Sequence, residues 1–152
     1  MTRFIGEYHY TVDAKGRLNI PAKFRKVVSP EADETFVVCR APGGCLRAYP
    51  KDEWVLAEQR IRARAENPTA DTDREIRFTF STLSESRLDG QGRITLSLVQ
   101  MKIAGMAKDV FLFGGPGYVE IWDPKRFEEY LSGGDDFDTV FYQSVQSGIR
   151  GT

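Results

Sequence analysis

The chain has 152 residues, 41% hydrophobic and 28% charged, with a formal net charge of −1; this is the make-up of one ordinary domain, or of two small half-domains sharing a core. No apolar stretch approaches the ~18 residues of a membrane helix, and MTRFIGEYHY lacks the apolar run of a signal peptide, so a cytoplasmic protein without a membrane partner is expected. One histidine and two cysteines are too few for a Cys/His zinc site, and neither a metal nor a cofactor is expected.

In chain order, EYHYTV at 7–12 alternates bulky and polar residues, and RLNI at 17–20 continues extended after the turn DAKG, which together read as a hairpin-like unit. Pro21 suits the first position of a helix over 21–28, with Phe24, Val27 and Val28 on one side. TFVVCR and CLRAYP follow as strands around the turn APGG. Pro50 or Asp52 then opens a helix up to Asn67-Pro68, with Trp54, Val55, Ala57, Ile61 and Ala65 as an apolar stripe and Arg60, Arg62 and Arg64 on the other face. Residues 71–86 fit a strand through Ile76, Phe78 and Phe80, or a helix through Ile76, Phe80 and Leu83.

The order then repeats. VDAKGRLNIPAKF at 12–24 is echoed by LDGQGRITLSLVQ at 88–100, an offset of 76. A helical stretch LVQMKIAGM stopping at Gly105, the strands DVFLFG and YVEIWD around GPG, and a helix PKRFEEYL opened by Asp123-Pro124 complete the second copy. LRAYPKDEW at 46–54 matches VEIWDPKRF at 119–127 at an offset of 73, which pairs Leu46 with Val119, Tyr49 with Trp122 and Trp54 with Phe127. The chain therefore divides into a first half at 1–70, a second half at 71–134 with the intervening helix, and a tail at 135–152. In the tail Phe137, Val140, Phe141 and Val145 have helical spacing, which suits docking onto the body or onto another subunit.

A duplicated fold needs only its apolar pattern in both copies, yet here Asp13, Gly16 and Arg17 recur as Asp89, Gly92 and Arg93. Gly16 and Gly92 supply the positive φ a tight turn requires. Three readings of the loops stay open. Asp and Arg can pair to rigidify the turn; Asp can fix the loop while Arg offers its fork to a guanine edge or to phosphate oxygens; or the Gly-rich turn can bind a small anion, although neither AKG nor GQG is a P-loop or a GxGxxG element. Enzymatic readings are poorer. Asp13 and Asp89 are the only symmetric carboxylate pair, and an arginine at i+4 lowers each pKa rather than keeping a proton donor near neutrality; His9, in an alternating strand pattern, is a weak base for Cys45. Phe36, Tyr49, Trp54, Phe111, Trp122 and Phe127 read as core rather than as base-stacking groups.

Charge distribution agrees with a nucleic-acid role better than net charge does. Residues 1–28 carry Arg3, Lys15, Arg17, Lys23, Arg25 and Lys26 against Glu7 and Asp13, a balance of +4 that leaves −5 for the rest. Lys23, Arg25 and Lys26 read first as a solvated helix face.

Together VDAKGRLNIPAKFR, LDGQGRITL, the FVV-to-CLRAYP hairpin and YVEIWD resemble the MraZ family of bacterial transcriptional regulators over roughly residues 4–131. The resemblance implies a β-rich α+β fold, a pseudo-symmetric duplicated AbrB-like swapped-hairpin β-barrel with flanking helices. It further implies a ring-shaped homo-oligomer that binds repeated double-stranded DNA boxes in the promoter of the division and cell-wall gene cluster, is nucleoid-associated and is not an enzyme. Arg17 and Arg93 then contact DNA, Lys15 touches phosphate, and Asp13, Asp89, Gly16 and Gly92 organise the loops. Two departures from the pattern, Gln91 in place of a basic residue and Ser97 where the first copy has Pro21, imply weaker backbone binding by the second loop and a less sharply fixed helix start. The alternative outside the DNA-binding class is an oligomeric protein-interaction module.

Overall fold

A computed structural model describes residues 2–150. The strands are β1 (Glu7–Thr11), β2 (Arg17–Asn19), β3 (Thr35–Ala41), β4 (Cys45–Pro50), β5 (Ser84–Arg87), β6 (Arg93–Thr95), β7 (Asp109–Gly114) and β8 (Val119–Trp122). The helices are α1 (Ala22–Arg25), α2 (Lys51–Ala65), α3 (Ala70–Ser81), α4 (Leu98–Ile103), α5 (Pro124–Ser132) and α6 (Phe137–Arg150). The fold is mixed α+β.

Six strands form one antiparallel sheet in the order β1-β7-β8-β4-β3-β5, and β2 pairs with β6 in a separate two-stranded ribbon. This order is palindromic in the repeat: β1 corresponds to β5, β7 to β3 and β8 to β4. At the centre Leu46 faces Ile121, Arg47 faces Glu120 and Ala48 faces Val119, so repeat-equivalent strands pair with each other across the midline. The ribbon obeys the same symmetry, with Leu18 opposite Ile94.

Two expectations are corrected. The strands flanking DAKG are not a hairpin: the turn forms, but β1 leaves it to pair with β7 while β2 pairs with β6, because each strand finds its partner in the other half. A closed barrel is not found among the described residues either. β1 and β5 are the open edges of the six-stranded sheet, and β2 with β6 stands apart instead of bridging them.

One hydrophobic core is built from both halves. Leu18, Ile20, Phe24, Phe36 and Leu46 from the first copy pack with Ile94, Leu96, Leu112, Val119 and Ile121 from the second, all buried; such shared burial is the main favourable term holding the halves together. Trp122 packs against Phe127 at 5.2 Å, as expected of aromatic anchors.

Helix boundaries differ from the sequence pattern in instructive ways. The helix after Pro21 is a single turn at Ala22–Arg25 with no side-chain cap; Phe24 is buried while Val27 is 46% exposed. Ser97 starts its helix more firmly, since its hydroxyl accepts from the Gln100 amide and the Gln100 side chain accepts from the Ser97 amide. This reciprocal capping box overturns the expectation of a loosely fixed start. On α2 Trp54 is buried, but Val55 is 46% exposed and Ala65 also faces solvent, which narrows the apolar stripe. The ambiguous stretch at 71–86 is helical where the strand pattern lay: Ile76, Phe78 and Phe80 all belong to α3, capped by Thr69, so the strand reading through them is corrected, while Leu83 falls beyond the helix and β5 starts only at Ser84.

Candidate nucleic-acid interface

Each DxxxR loop is closed by its own aspartate. In the first, the Asp13 Oδ1 accepts from the Lys15 and Arg17 amides at 3.0 and 2.8 Å. Its Oδ2 accepts from the Arg17 Nε at 2.6 Å. The second loop repeats every bond: Asp89 Oδ1 takes the Gln91 and Arg93 amides at 2.9 and 3.0 Å, and Oδ2 takes the Arg93 Nε at 2.8 Å. Carboxylates that accept this many bonds are favoured in the ionised form. For Asp13 the leading cause is the Arg17 backbone amide, and the pKa falls below its ordinary value of 3.8. For Asp89 desolvation is the largest single influence and pushes upward, but the Arg93 amide and guanidinium and the Gln91 amide together outweigh it, and its pKa falls below 3.8 as well.

Gly16 (φ 81°) and Gly92 (φ 74°) both lie in the left-handed region, which other L-residues enter at a cost. They also join the loops to each other. The Leu96 amide donates to the Gly16 carbonyl at 2.8 Å, and the Ile20 amide donates to the Gly92 carbonyl at 2.9 Å. Because Leu96 is the repeat counterpart of Ile20, these are the same bond made in both directions.

The two arginines therefore share one ribbon. Side chains alternate along a strand, and with Leu18 and Ile94 buried, Arg17, Asn19, Arg93 and Thr95 all lie on the opposite, outward side of β2 and β6. In the register Arg17 faces Thr95 and Arg93 faces Asn19. The Arg93 Nη1 also comes to 3.9 Å from the Asp13 Oδ2, a long ion pair between the loops. In each arginine the Nε is clamped inside its own loop and the terminal nitrogens make no hydrogen bond among the described residues, so a rigidly held fork remains to donate outward. Lys15 is exposed at the tip of the first loop.

Asn19 and Thr95 were not singled out from the sequence, although the period-2 signal was available two residues beyond each arginine. Arg25 lies in α1 and is exposed, as a solvated helix face implies. In addition its Nε donates to the Ile20 carbonyl at 3.0 Å, and its guanidinium packs against the Gly92 α-carbon, where an added Cβ would meet the Arg25 Cζ at 2.7 Å. A cation from the first copy thus stands beside the second loop, which has Gln91 where the first has Lys15.

The nucleophilic alternative finds no footing in the thiols. Cys39 and Cys45 are both buried and unpaired, and burial pushes their thiols up to about 11 and about 12, which suppresses the reactive thiolate. Among the described residues no helix is long and apolar enough to cross a membrane.

The model of the family described as MraZ protein matches this chain in two stretches, residues 3–77 and 79–141. Among curated proteins, "Transcriptional regulator MraZ" of Clostridium tetani is 34% identical over 146 residues, covering 96% of this chain and 99% of that protein. The proteins of the same name from Moorella thermoacetica and Syntrophomonas wolfei are 42% and 39% identical, each covering 84% of this chain and 85% of the relative. With the match extending through both copies of the loop and both later hairpins, the chain belongs to the MraZ family.

Proposed function

We propose that the chain is a sequence-specific DNA-binding transcriptional regulator, cytoplasmic and nucleoid-associated, that reads double-stranded DNA with the β2–β6 ribbon. The observation that carries this reading is the clamped arginine: with Nε held by Asp13 or Asp89, little side-chain freedom is lost when the fork meets a guanine edge or a phosphate. A two-stranded ribbon fits the major groove. Arg17 and Arg93 are the base-reading residues, Asn19 and Thr95 flank them, and Lys15 and Arg25 supply phosphate contacts, with Gly16 and Gly92 permitting the turns. The exchange of strands between halves supports an AbrB-like swapped-hairpin ancestry for each copy.

One subunit with a net charge of −1 offers few phosphate contacts, so a single copy binds weakly and with strong salt dependence. A ring of copies aligned on repeated boxes in the promoter of the division and cell-wall gene cluster raises avidity by ~10²-fold or more without new contacts, provided the spacing fits. Fluorescence anisotropy with duplex from upstream of the chain's own gene, against random duplex, tests the reading. Loss of one bidentate contact, worth about 1–3 kcal/mol, predicts roughly 5- to 160-fold weaker specific binding per site for Arg17→Ala or Arg93→Ala. Equal or absent binding to both duplexes by the parent chain would favour a protein-interaction module instead.

A further inference from the structure

Two surfaces remain outside the ribbon, and they are opposite in charge. The first is a cleft of about 570 Å³ between the β3–β4 hairpin and helices α2 and α3, lined by Arg40, Arg47, Arg60 and Arg64 with Trp54 and Phe78. Glu75, the one acid in that lining, already holds Arg64 at 2.5 Å, and Arg47 is held by Glu120 at 2.9 Å. Arg40 and Arg60 have no acidic partner among the described residues; Arg40 lies over the Phe78 ring at 5.0 Å. Phe78, which lines the cleft, is 51% exposed, so the cleft offers apolar as well as basic surface.

The second surface is the C-terminal helix. Between Phe127 and Ile149 the chain has five acids and no base. On α6, Phe137, Val140, Phe141 and Val145 share one face and are 78%, 51%, 51% and 44% exposed. Asp136 caps the helix through the Thr139 amide at 2.9 Å, while Asp135 and Asp138 have no basic partner among the described residues. An amphipathic helix with an uncovered apolar face is costly in water unless something packs against it.

We infer that the acidic, aromatic helix α6 of one copy docks in the arginine-lined cleft of the next copy. The aromatic face meets the exposed Phe78, and Asp135 and Asp138 approach Arg40 and Arg60. Because the two surfaces differ, the contact is heterologous: each copy offers one cleft and one helix, and repetition gives either a closed ring or an open filament. The inference rests on the oligomeric reading above and names the faces that form it.

Charge reversal of full-length protein tests this, read by multi-angle light scattering after gel filtration. One variant carries Arg40→Glu and Arg60→Glu, the other Asp135→Arg and Asp138→Arg; all four positions are at the surface, and circular dichroism checks that both variants fold. The expected result is a multimeric parent, each variant alone reduced to the mass of one chain, and a 1:1 mixture returning to multimers, since each variant's cleft is then complementary to the other's helix. Multimers of parental mass from both variants alone would overturn this inference and leave the oligomeric reading standing. A parent that runs as a single chain would overturn both.

Discussion

Arg47 and Glu120 occupy equivalent positions in the two copies and bond to each other across the centre of the sheet. The Arg47 Nε meets the Glu120 Oε2 at 2.9 Å, with only 26% and 11% of the two side chains exposed. Repeat-equivalent residues can face each other only beside a pseudo-twofold axis, so the pair marks where the halves join. It is also well supported: the Trp122 indole N–H donates to the Glu120 Oε1 at 3.0 Å, and the Arg47 guanidinium lies 4.2 Å from the Tyr118 ring centroid. Truncating one partner of a buried pair leaves an uncompensated charge and typically costs about 3–5 kcal/mol, whereas replacing both with apolar groups is often nearly neutral. Urea unfolding should therefore show Arg47→Met to be more destabilising than Arg47→Met combined with Glu120→Leu. A double variant at least as unstable as the single one would show that the pair itself, and not the orphaned charge, dominates.

The two loop glycines should differ in tolerance. Both have positive φ, so alanine at either position costs about 1–2 kcal/mol for its backbone conformation. A Cβ on Gly16 would also lie 2.3 Å from the carbonyl oxygen of Leu96, main chain of the residue whose amide donates to the Gly16 carbonyl; at Gly92 it would meet only the Arg25 side chain. Gly16→Ala is thus expected to lower the melting temperature further than Gly92→Ala, which differential scanning fluorimetry can rank.

Much of the fold was readable because its signals are local. β4 and β7 begin and end where the predicted strands do, and the helix start at Asp123 follows from capping chemistry, whereas the Thr69 cap that decides for a helix over 70–81 goes unread in the sequence. Partnership across a short turn was readable, since β3 pairs with β4 around APGG and β7 with β8 around GPG, but partnership between the halves was not: DAKG looks like a hairpin turn, and nothing local reveals that β1 crosses to β7. The site divides likewise, with the clamped arginines following from the DxxxR spacing while Arg25 reaches the second loop only through the fold.

Gln100 is a further case, polar where the first copy has Phe24 and completely buried. Its amide nitrogen reaches the Thr82 carbonyl and the Ser84 hydroxyl, each at 2.8 Å, which ties α4 to the link between α3 and β5. Restoring the repeat with Gln100→Phe should therefore destabilise the chain by about 1–3 kcal/mol, the cost of leaving buried polar groups unpaired. Chemical unfolding gives the value, and a neutral result would show that the symmetric apolar choice is equally good there.

Acid should loosen the loops in a defined direction. Asp13 and Asp89 have pKa values lowered from 3.8 in the folded chain, so each contributes stability that is complete above the unfolded value and is lost as pH falls below 3.8 through the lower folded value. Loop order should be flat from neutrality down to about pH 5. Carboxyl-carbon NMR titration checks this; a midpoint above 3.8 for either aspartate would contradict the clamped geometry.

Arg25 decides whether the two loops are electrostatically unequal. From the sequence, Gln91 leaves the second loop without the cation that Lys15 gives the first, and weaker backbone binding follows. The fold places the Arg25 guanidinium against Gly92 instead, with its Nε fixed by the Ile20 carbonyl, and so offsets that deficit from the other half of the chain. If Arg25 neutralises one phosphate, Arg25→Ala should weaken binding to specific and random duplex alike and reduce the salt slope by about 0.9 per subunit, with sequence preference retained. Arg93→Ala should instead reduce preference for the specific duplex. An unchanged salt slope for Arg25→Ala would return this residue to a structural role, bracing the Ile20 carbonyl and the second turn.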